Sequence, residues 1–297
     1  MLSSGMIKEH PKKPDHFVAT RLGRVAVRHM LLPETVLLFK NACDRFKDLP
    51  FFDLILVATA SSDCEPLIPA DYEELEDLSK RLRKEPSELL QLPLSELVPL
   101  LGKSGKGLLS SIKMALILRD WSLLGEMDDI AKQYCCYPFE LFRLKESAER
   151  LLLAMGSLFE KEESTDAPIL EEEIPLKEKV IVLGKMIQAG LDEIKITLTL
   201  VDGIGPKWAK NLCELGLGDL EDLAQLDPED FAEIPGLKKE RLLKWTEQAT
   251  ELLNTRSAWS YRQRGMTSLE ERDLENASNI DIYRLKRARE LKVRSIS

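Results

Sequence analysis

The sequence predicts an all-α protein, a helical bundle followed by a tandem helix-hairpin-helix domain. Three observations carry this expectation. Leucine dominates the 297 residues while aromatics make up only 6%. Apolar residues recur at helical spacing through most of the chain. Gly and Pro number 15 each, too few for a sandwich or barrel with many tight turns. The length suits two or three compact domains.

In chain order, residues 1–16 are polar and basic, lack the pattern of a signal peptide, and read as disordered. "FVATRLGRVAVRHM" has mixed periodicity and reads as a short strand or the tail of a domain, so 1–32 is set apart. A bundle is expected over 33–190. "PETVLLFKNACDRF" opens it with Pro33 at a helix start. "FFDLILVATAS" is a buried helix, and "PADYEELEDLSKRLRK" a solvated one, acidic first and basic last as the helix dipole prefers. A short Leu/Pro-rich helix follows within 89–101. Residues 106–124 are apolar almost all round and belong at the bundle centre; Lys113, Arg119 and Asp120 exclude a membrane span. "MDDIAKQY" is a short helix, and Pro138 opens a long one reaching about Glu162. The acidic stretch 160–178 is an exposed loop. Residues 191–256 form a tandem helix-hairpin-helix domain, and 257–297 a polar, partly helical tail.

The net charge of −9 is unevenly spread. Residues 1–47 carry nine Lys/Arg against four Asp/Glu, and 279–297 six against two, whereas 160–178 carry two against eight. A basic local surface, not a basic total, is what nucleic-acid binding requires. The five cysteines, Cys43, Cys64, Cys135, Cys136 and Cys213, form no CxxC pair, and the three histidines cluster near the start, so no metal or other cofactor is expected. Reduced thiols fit a cytoplasmic setting.

The segment "LVDGIGPKWAKNL" at 200–212 has the helix-hairpin-helix spacing. Gly203 and Gly205 allow a tight turn, Ile204 staples the two helices, and Ala209 lets them approach. Pro206 at the first helical position gives up only a donor that was already free. The amides of Gly205 and the next turn then face outward and suit a phosphate oxygen, with Lys207 and Lys210 beside them. Such contacts position a strand without reading its sequence. A plain αα-corner is the structural alternative. A second copy, "LAQLDPEDFAEIPGLKKERLLKW", has Gly236 at the first glycine position but Lys238 at the second. It reads as mainly structural, with Lys238, Lys239 and Arg241 as candidate phosphate contacts.

Other chemistry is excluded. "GKSGKG" at 102–107 has Leu97 where a P-loop needs its first Gly. No DExH-type box and no credible Ser–His–Asp set occurs. Asp222 and Asp227 fall where a glycosylase acid would, but capping explains them better.

Several segments together resemble the archaeal Ski-like superfamily-two DNA helicases, of which the helicase portion of DNA polymerase theta is a relative. "ATRLGRVAVRHM" with "PETVLLF" is similar to the end of that family's winged-helix domain. "KMALILRDW" and "IAKQYCCYPFELFRLKESAERLLLAMGSL" resemble its helical ratchet domain, and 190–237 its end, where the glycine hairpin closes the ratchet or follows it. The resemblance makes 1–32 a winged-helix remnant and places the motor domains upstream of Met1. It implies binding to single-stranded or branched DNA and does not imply ATP hydrolysis by this chain, which reads as a motorless relative, a separately encoded half with a separate motor chain as partner, or a truncated piece. In the family an Arg and a Trp on the long helix stack on bases; here those positions hold Arg143 and Arg150. Arg143 lies about 200° from Leu141, away from the apolar stripe. Arg150 lies within about 20° of Arg143, with Ser147 and Ala154 on the same line, an arrangement expected to leave room for a strand. The plainer alternative is a solvated face with a Glu146–Arg150 ion pair. The expected function is a non-catalytic DNA-binding protein or subunit. The rivals are part of a helicase whose motor lies on another chain, and a scaffold that has lost DNA binding.

Overall fold

The computed structural model describes residues 5–10, 12–46, 49–82, 92–158, 176–192, 194–226 and 237–254. These fall into two compact units, one holding 5–158 and 176–188, the other 189–254. Among the described residues the fold is all-α apart from one small ribbon at the start.

That ribbon pairs β1 (Ile7–His10) antiparallel with β2 (Lys13–Ala19). Disorder was the expectation for 1–16; the backbone ladder corrects it over 7–10 and 13–16, while 1–4 and 11 lie outside the described residues. The pairing is closed at its base by Thr20, whose N–H donates to the Met6 carbonyl at 2.9 Å and whose hydroxyl donates to the Gly5 carbonyl at 2.7 Å. The same hydroxyl accepts from Gly23 N and so caps α1 (Arg21–Arg28). Gly23 is required here because a Cβ would stand 2.2 Å from the Met6 carbonyl oxygen. "FVATRLGRVAVRHM" is thus a strand and then a helix.

The bundle follows. It begins with α2 (Pro33–Arg45) and α3 (Phe51–Thr59), the latter buried from Phe52 to Thr59. Within α3 the buried Asp53 accepts from Leu92 N at 3.1 Å, fixing the chain ahead of α5 (Leu94–Leu101). Between them α4 (Leu75–Leu82) is nucleated by a capping box joining Asp71 and Glu74. The centre is α6 (Gly105–Leu124), in which every residue from Leu109 to Leu118 is buried. Even Lys113 is enclosed, its ammonium 2.7 Å from Glu74 and 3.1 Å from the Pro69 carbonyl. The "GKSGKG" stretch is the turn between α5 and α6, with Gly102 at φ +62 ending one helix and Ser104 at the N-cap of the next. The element directly before it is α5, so its context is that of a helix–helix turn.

The short α7 (Met127–Gln133) leads into α8 (Pro138–Leu158), whose stripe of Leu141, Leu144, Ala148, Leu151, Leu152 and Met155 is buried as its spacing requires. The expected continuation to Glu162 lies outside the described residues, as does the acidic loop up to 175. α9 (Leu176–Ala189) places Val180, Leu183 and Ile187 in the same core, and Trp121 Nε1 donates to the Ile187 carbonyl at 2.7 Å.

The second unit contains a 3-10 helix (Lys195–Leu200), α10 (Pro206–Glu214), α11 (Leu220–Ala224) and α12 (Lys239–Asn254). The second hairpin turn, with Asp227, Pro235 and Gly236, lies outside the described residues, as does the tail 257–297. No described helix is long and apolar enough to cross a membrane. No group of three or more His, Cys, Asp or Glu among the described residues is placed to hold a metal ion.

Candidate nucleic-acid interface

The turn at 201–205 is built from the backbone outward. Ile204 N–H donates to the Val201 carbonyl at 3.0 Å, closing a turn that only a left-handed residue completes. Gly203 supplies it with φ +85. Ile204 is buried beside Ala209 and Leu212 and staples the two helices. Gly205 is different: its φ is −86, it forms the N-cap of α10, and nothing stands within 4 Å of where a Cβ would point. Backbone geometry therefore does not require glycine at 205, and the space beside it is open.

α10 starts with Pro206, has no side-chain cap and has no acidic residue in its first turn. The amides of Gly205, Lys207 and Trp208 thus point out of the helix end without a capping carboxylate, the arrangement that receives an anion. Lys207 is exposed and Lys210 half-buried; with exposed Asp202 the segment 202–210 carries two positive charges and one negative.

The feature that sequence reasoning missed is a clamp. Three side chains of α12, at positions 241, 245 and 248, bond to the backbone of the turn. Arg241 Nη2 donates to the Gly203 carbonyl at 3.1 Å, and Trp245 Nε1 to the Asp202 carbonyl at 3.0 Å. Asp202 N–H donates to Gln248 Oε1 at 3.2 Å. Trp208 meets Trp245 edge-to-face at 5.6 Å, and the Arg241 guanidinium lies 4.8 Å from the Trp245 ring centre. The one available signal was the i, i+4, i+7 spacing of Arg241, Trp245 and Gln248 on one helix. Arg241, taken from sequence as a candidate phosphate contact, has a guanidinium arm committed to the turn. Lys238 and Lys239 are exposed at the start of α12.

The acidic residues near the hairpin have structural work. Asp219 caps α11 by accepting from Glu221 N and Asp222 N, and Asp222 accepts from Gly218 N at 2.9 Å.

On α8 the structure separates the two arginines. Arg143 is exposed. Arg150 donates from Nη1 to the His29 carbonyl at 3.2 Å and from Nη2 to the Asp63 carbonyl at 3.0 Å. Ser147, on the line between them, is buried and bonds to the backbone of Asp63 and Glu65, and Ala154 is buried as well. The open line expected from Arg143 to Arg150 is therefore closed, because the chain after α3 and the end of α1 pack over it. The Glu146–Arg150 ion pair of the plainer alternative gives way to these backbone bonds. Burial, then the charges of Arg28 and Arg150, hold the His29 imidazole below its usual range. The aromatics exposed on this helix are Phe139 and Phe142, with Tyr137 just ahead of it.

The family model for the SAM-like helix-hairpin-helix tandem matches residues 195–251. The chain is 25% identical over 220 residues to the ATP-dependent DNA helicase Hel308 of Aeropyrum pernix, a match covering 73% of this chain and 27% of that protein. With Hel308 of Caldivirga maquilingensis the identity is 27% over 249 residues, covering 80% and 31%. With Hel308 of Thermococcus kodakarensis it is 24% over 226 residues, covering 75% and 19%. The chain thus spans less than a third of the length of these relatives.

Proposed function

We propose that this chain, whose sequence fits the C-terminal region of the archaeal Ski-like helicases, is a non-catalytic DNA-binding protein or subunit. It holds single-stranded or branched DNA through the backbone, without reading sequence. The observation that carries this reading is the α10 N-terminus: uncapped, free of carboxylates in its first turn, and presented by a turn whose backbone α12 holds from both sides. Lys207, Lys210, Lys238 and Lys239 supply charge around it, and the reduced cysteines suit a cytoplasmic setting. ATP hydrolysis belongs, in this reading, to a motor on a separate chain.

The test is a fluorescence anisotropy titration with single-stranded and forked DNA at low salt. Binding should be indifferent to sequence, and log K should fall with log salt at roughly −0.7 per phosphate contact on single strands. Salt-independent or absent binding would overturn the proposal. A second reading, a scaffold that has lost DNA binding, is favoured by the commitment of Arg150 to the His29 and Asp63 carbonyls. Capture of a partner protein by a chain that fails the titration would establish it.

A further inference from the structure

We propose that Cys135 and Cys136 form an oxidation site, at which a low-molecular-weight disulfide is exchanged for a bridge between these two adjacent residues. The turn that joins α7 to α8 puts them side by side. It closes α7 with two backbone bonds: Cys135 N–H donates to the Lys132 carbonyl at 3.4 Å, and Cys136 N–H to the Ala131 carbonyl at 3.0 Å. That pattern sets Cys135 in the left-handed region, at φ +51, where glycine is the usual residue. A residue with a Cβ is disfavoured in this conformation. Packing does little to offset the cost, because Cys135 is exposed and its sulfur makes a long 3.9 Å contact with the Lys132 carbonyl. Strain held at an exposed, reactive side chain points to chemistry there rather than to a role in the scaffold.

The two thiols have different surroundings and so different parts. Cys135 is the sulfur that a reagent in solution reaches first. Cys136 is half-buried at the edge of the bundle core, and burial, then the Glu140 carboxylate, push its thiol up. The Cys135 thiolate attacks one sulfur of the small disulfide. That S–S bond breaks, a mixed disulfide forms on Cys135, and the departing thiolate takes up the Cys135 proton. Cys136, one residue away, then attacks the Cys135 sulfur and expels the second thiolate, which takes up the Cys136 proton. This step is intramolecular, so adjacency offsets the raised thiol. In sum the two cysteines lose two electrons and two protons, and the small disulfide gains them as two thiols. The bridge reopens readily. Adjacent Cα atoms lie about 3.8 Å apart across a trans peptide, closer than the roughly 5.5–6 Å usual between bridged cysteines. Strained bridges of this kind are the labile, reversible ones. Closure also draws Cys136 away from the core edge, so oxidation loosens the turn from which α8 starts.

This site goes beyond the nucleic-acid reading and does not depend on it. In the test, the full reduced chain is incubated with glutathione disulfide at about pH 8 without air, where thiol–disulfide exchange runs freely. Samples are quenched with acid, alkylated and digested with trypsin. Cleavage after Lys132 and Arg143 yields one peptide, 133–143, that carries both cysteines. In the wild type that peptide should lose two hydrogen atoms and refuse the alkylating reagent. After dithiothreitol it should accept two alkyl groups. Cys136→Ser should stop at the mixed disulfide, heavier by one glutathionyl group. Cys135→Gly relieves the left-handed strain and so keeps the fold. It should slow oxidation of the peptide at least about tenfold, since the exposed sulfur is gone. A wild-type peptide that stays reduced, or halts at the mixed disulfide, would overturn the proposal. So would a bridge from either cysteine to Cys43, Cys64 or Cys213, or equal oxidation rates in the wild type and Cys135→Gly.

Discussion

Arg241 and Gly203 are joined across 38 residues of chain, the guanidinium Nη2 lying 3.1 Å from the glycine carbonyl oxygen. The same arginine rests on the Trp245 ring, which itself bonds the neighbouring Asp202 carbonyl. α12 thereby sets the shape of the turn. Arg241→Ala should destabilise the second unit by about 1–2 kcal/mol, from one charged hydrogen bond and the cation–π contacts with Trp245 and Trp208. Arg241→Lys should not fully restore it, since an ammonium lacks the planar fork. Urea unfolding followed by tryptophan fluorescence measures both, and a wild-type midpoint in Arg241→Ala would contradict the clamp.

The two glycines of the turn should fail in different ways. Gly203 has φ +85, and an added Cβ would meet Arg241 Nη2 at 3.3 Å. Gly203→Ala should therefore cost about 1–2 kcal/mol of stability. Gly205 has an ordinary φ and open space around it, so Gly205→Val should fold with a near-native melting temperature yet weaken DNA binding to every sequence alike. Comparing melting temperature with anisotropy separates the two. Equal loss of stability in both variants would remove the distinction.

The arginines of α8 should separate likewise. Arg150→Ala removes the donors that bridge the His29 and Asp63 carbonyls and should cost about 2 kcal/mol. In a unit of this size that lowers the melting temperature by roughly 4–8 °C. Arg150→Trp should destabilise as well, rather than improve strand binding. Arg143→Ala, at an exposed position, should leave stability within about 0.5 kcal/mol. Calorimetry of the three variants tests the ordering.

Thiol reactivity should follow burial. Burial pushes the Cys43, Cys64 and Cys213 thiols up to about 12, and the thiolate is the attacking form. Cys135 is the exposed one. Iodoacetamide at about pH 8 should label the exposed Cys135 first and leave the buried Cys64 nearly untouched, as read by peptide mass mapping. Raising the pH towards the shifted values should increase labelling of Cys43, Cys64 and Cys213. Equal rates at Cys64 and Cys135 would mean that the segment after α3 is not packed as described.

Most helices were legible because their apolar spacing is local information. The run from Leu109 to Leu118 reads as central since it lacks a polar face, and it is central. The hairpin was legible because a left-handed turn restricts residue choice, as Gly203 shows. What stayed hidden depends on distant chain. The ribbon lacks clean alternation, and its closure relies on Thr20 reaching back to Met6 and Gly5. The angular position of Arg150 on α8 follows from periodicity, but its partners lie 121 and 87 residues away, so the segments that close over it leave no mark in the local pattern. The clamp on the turn was invisible for a related reason: its acceptors are mostly backbone carbonyls, which carry no residue signature.

The Trp121–Ile187 bond ties the middle of the bundle to the helix that follows the acidic stretch. Because Leu152 on one side of that stretch and Val180 and Leu183 on the other share a core, α9 is retained by packing rather than by peptide continuity. A cut between the two helices would turn an intramolecular docking into an association of two fragments, with the apolar face of α9 as the recognition surface. Split there and co-expressed, the halves should reassemble through that face.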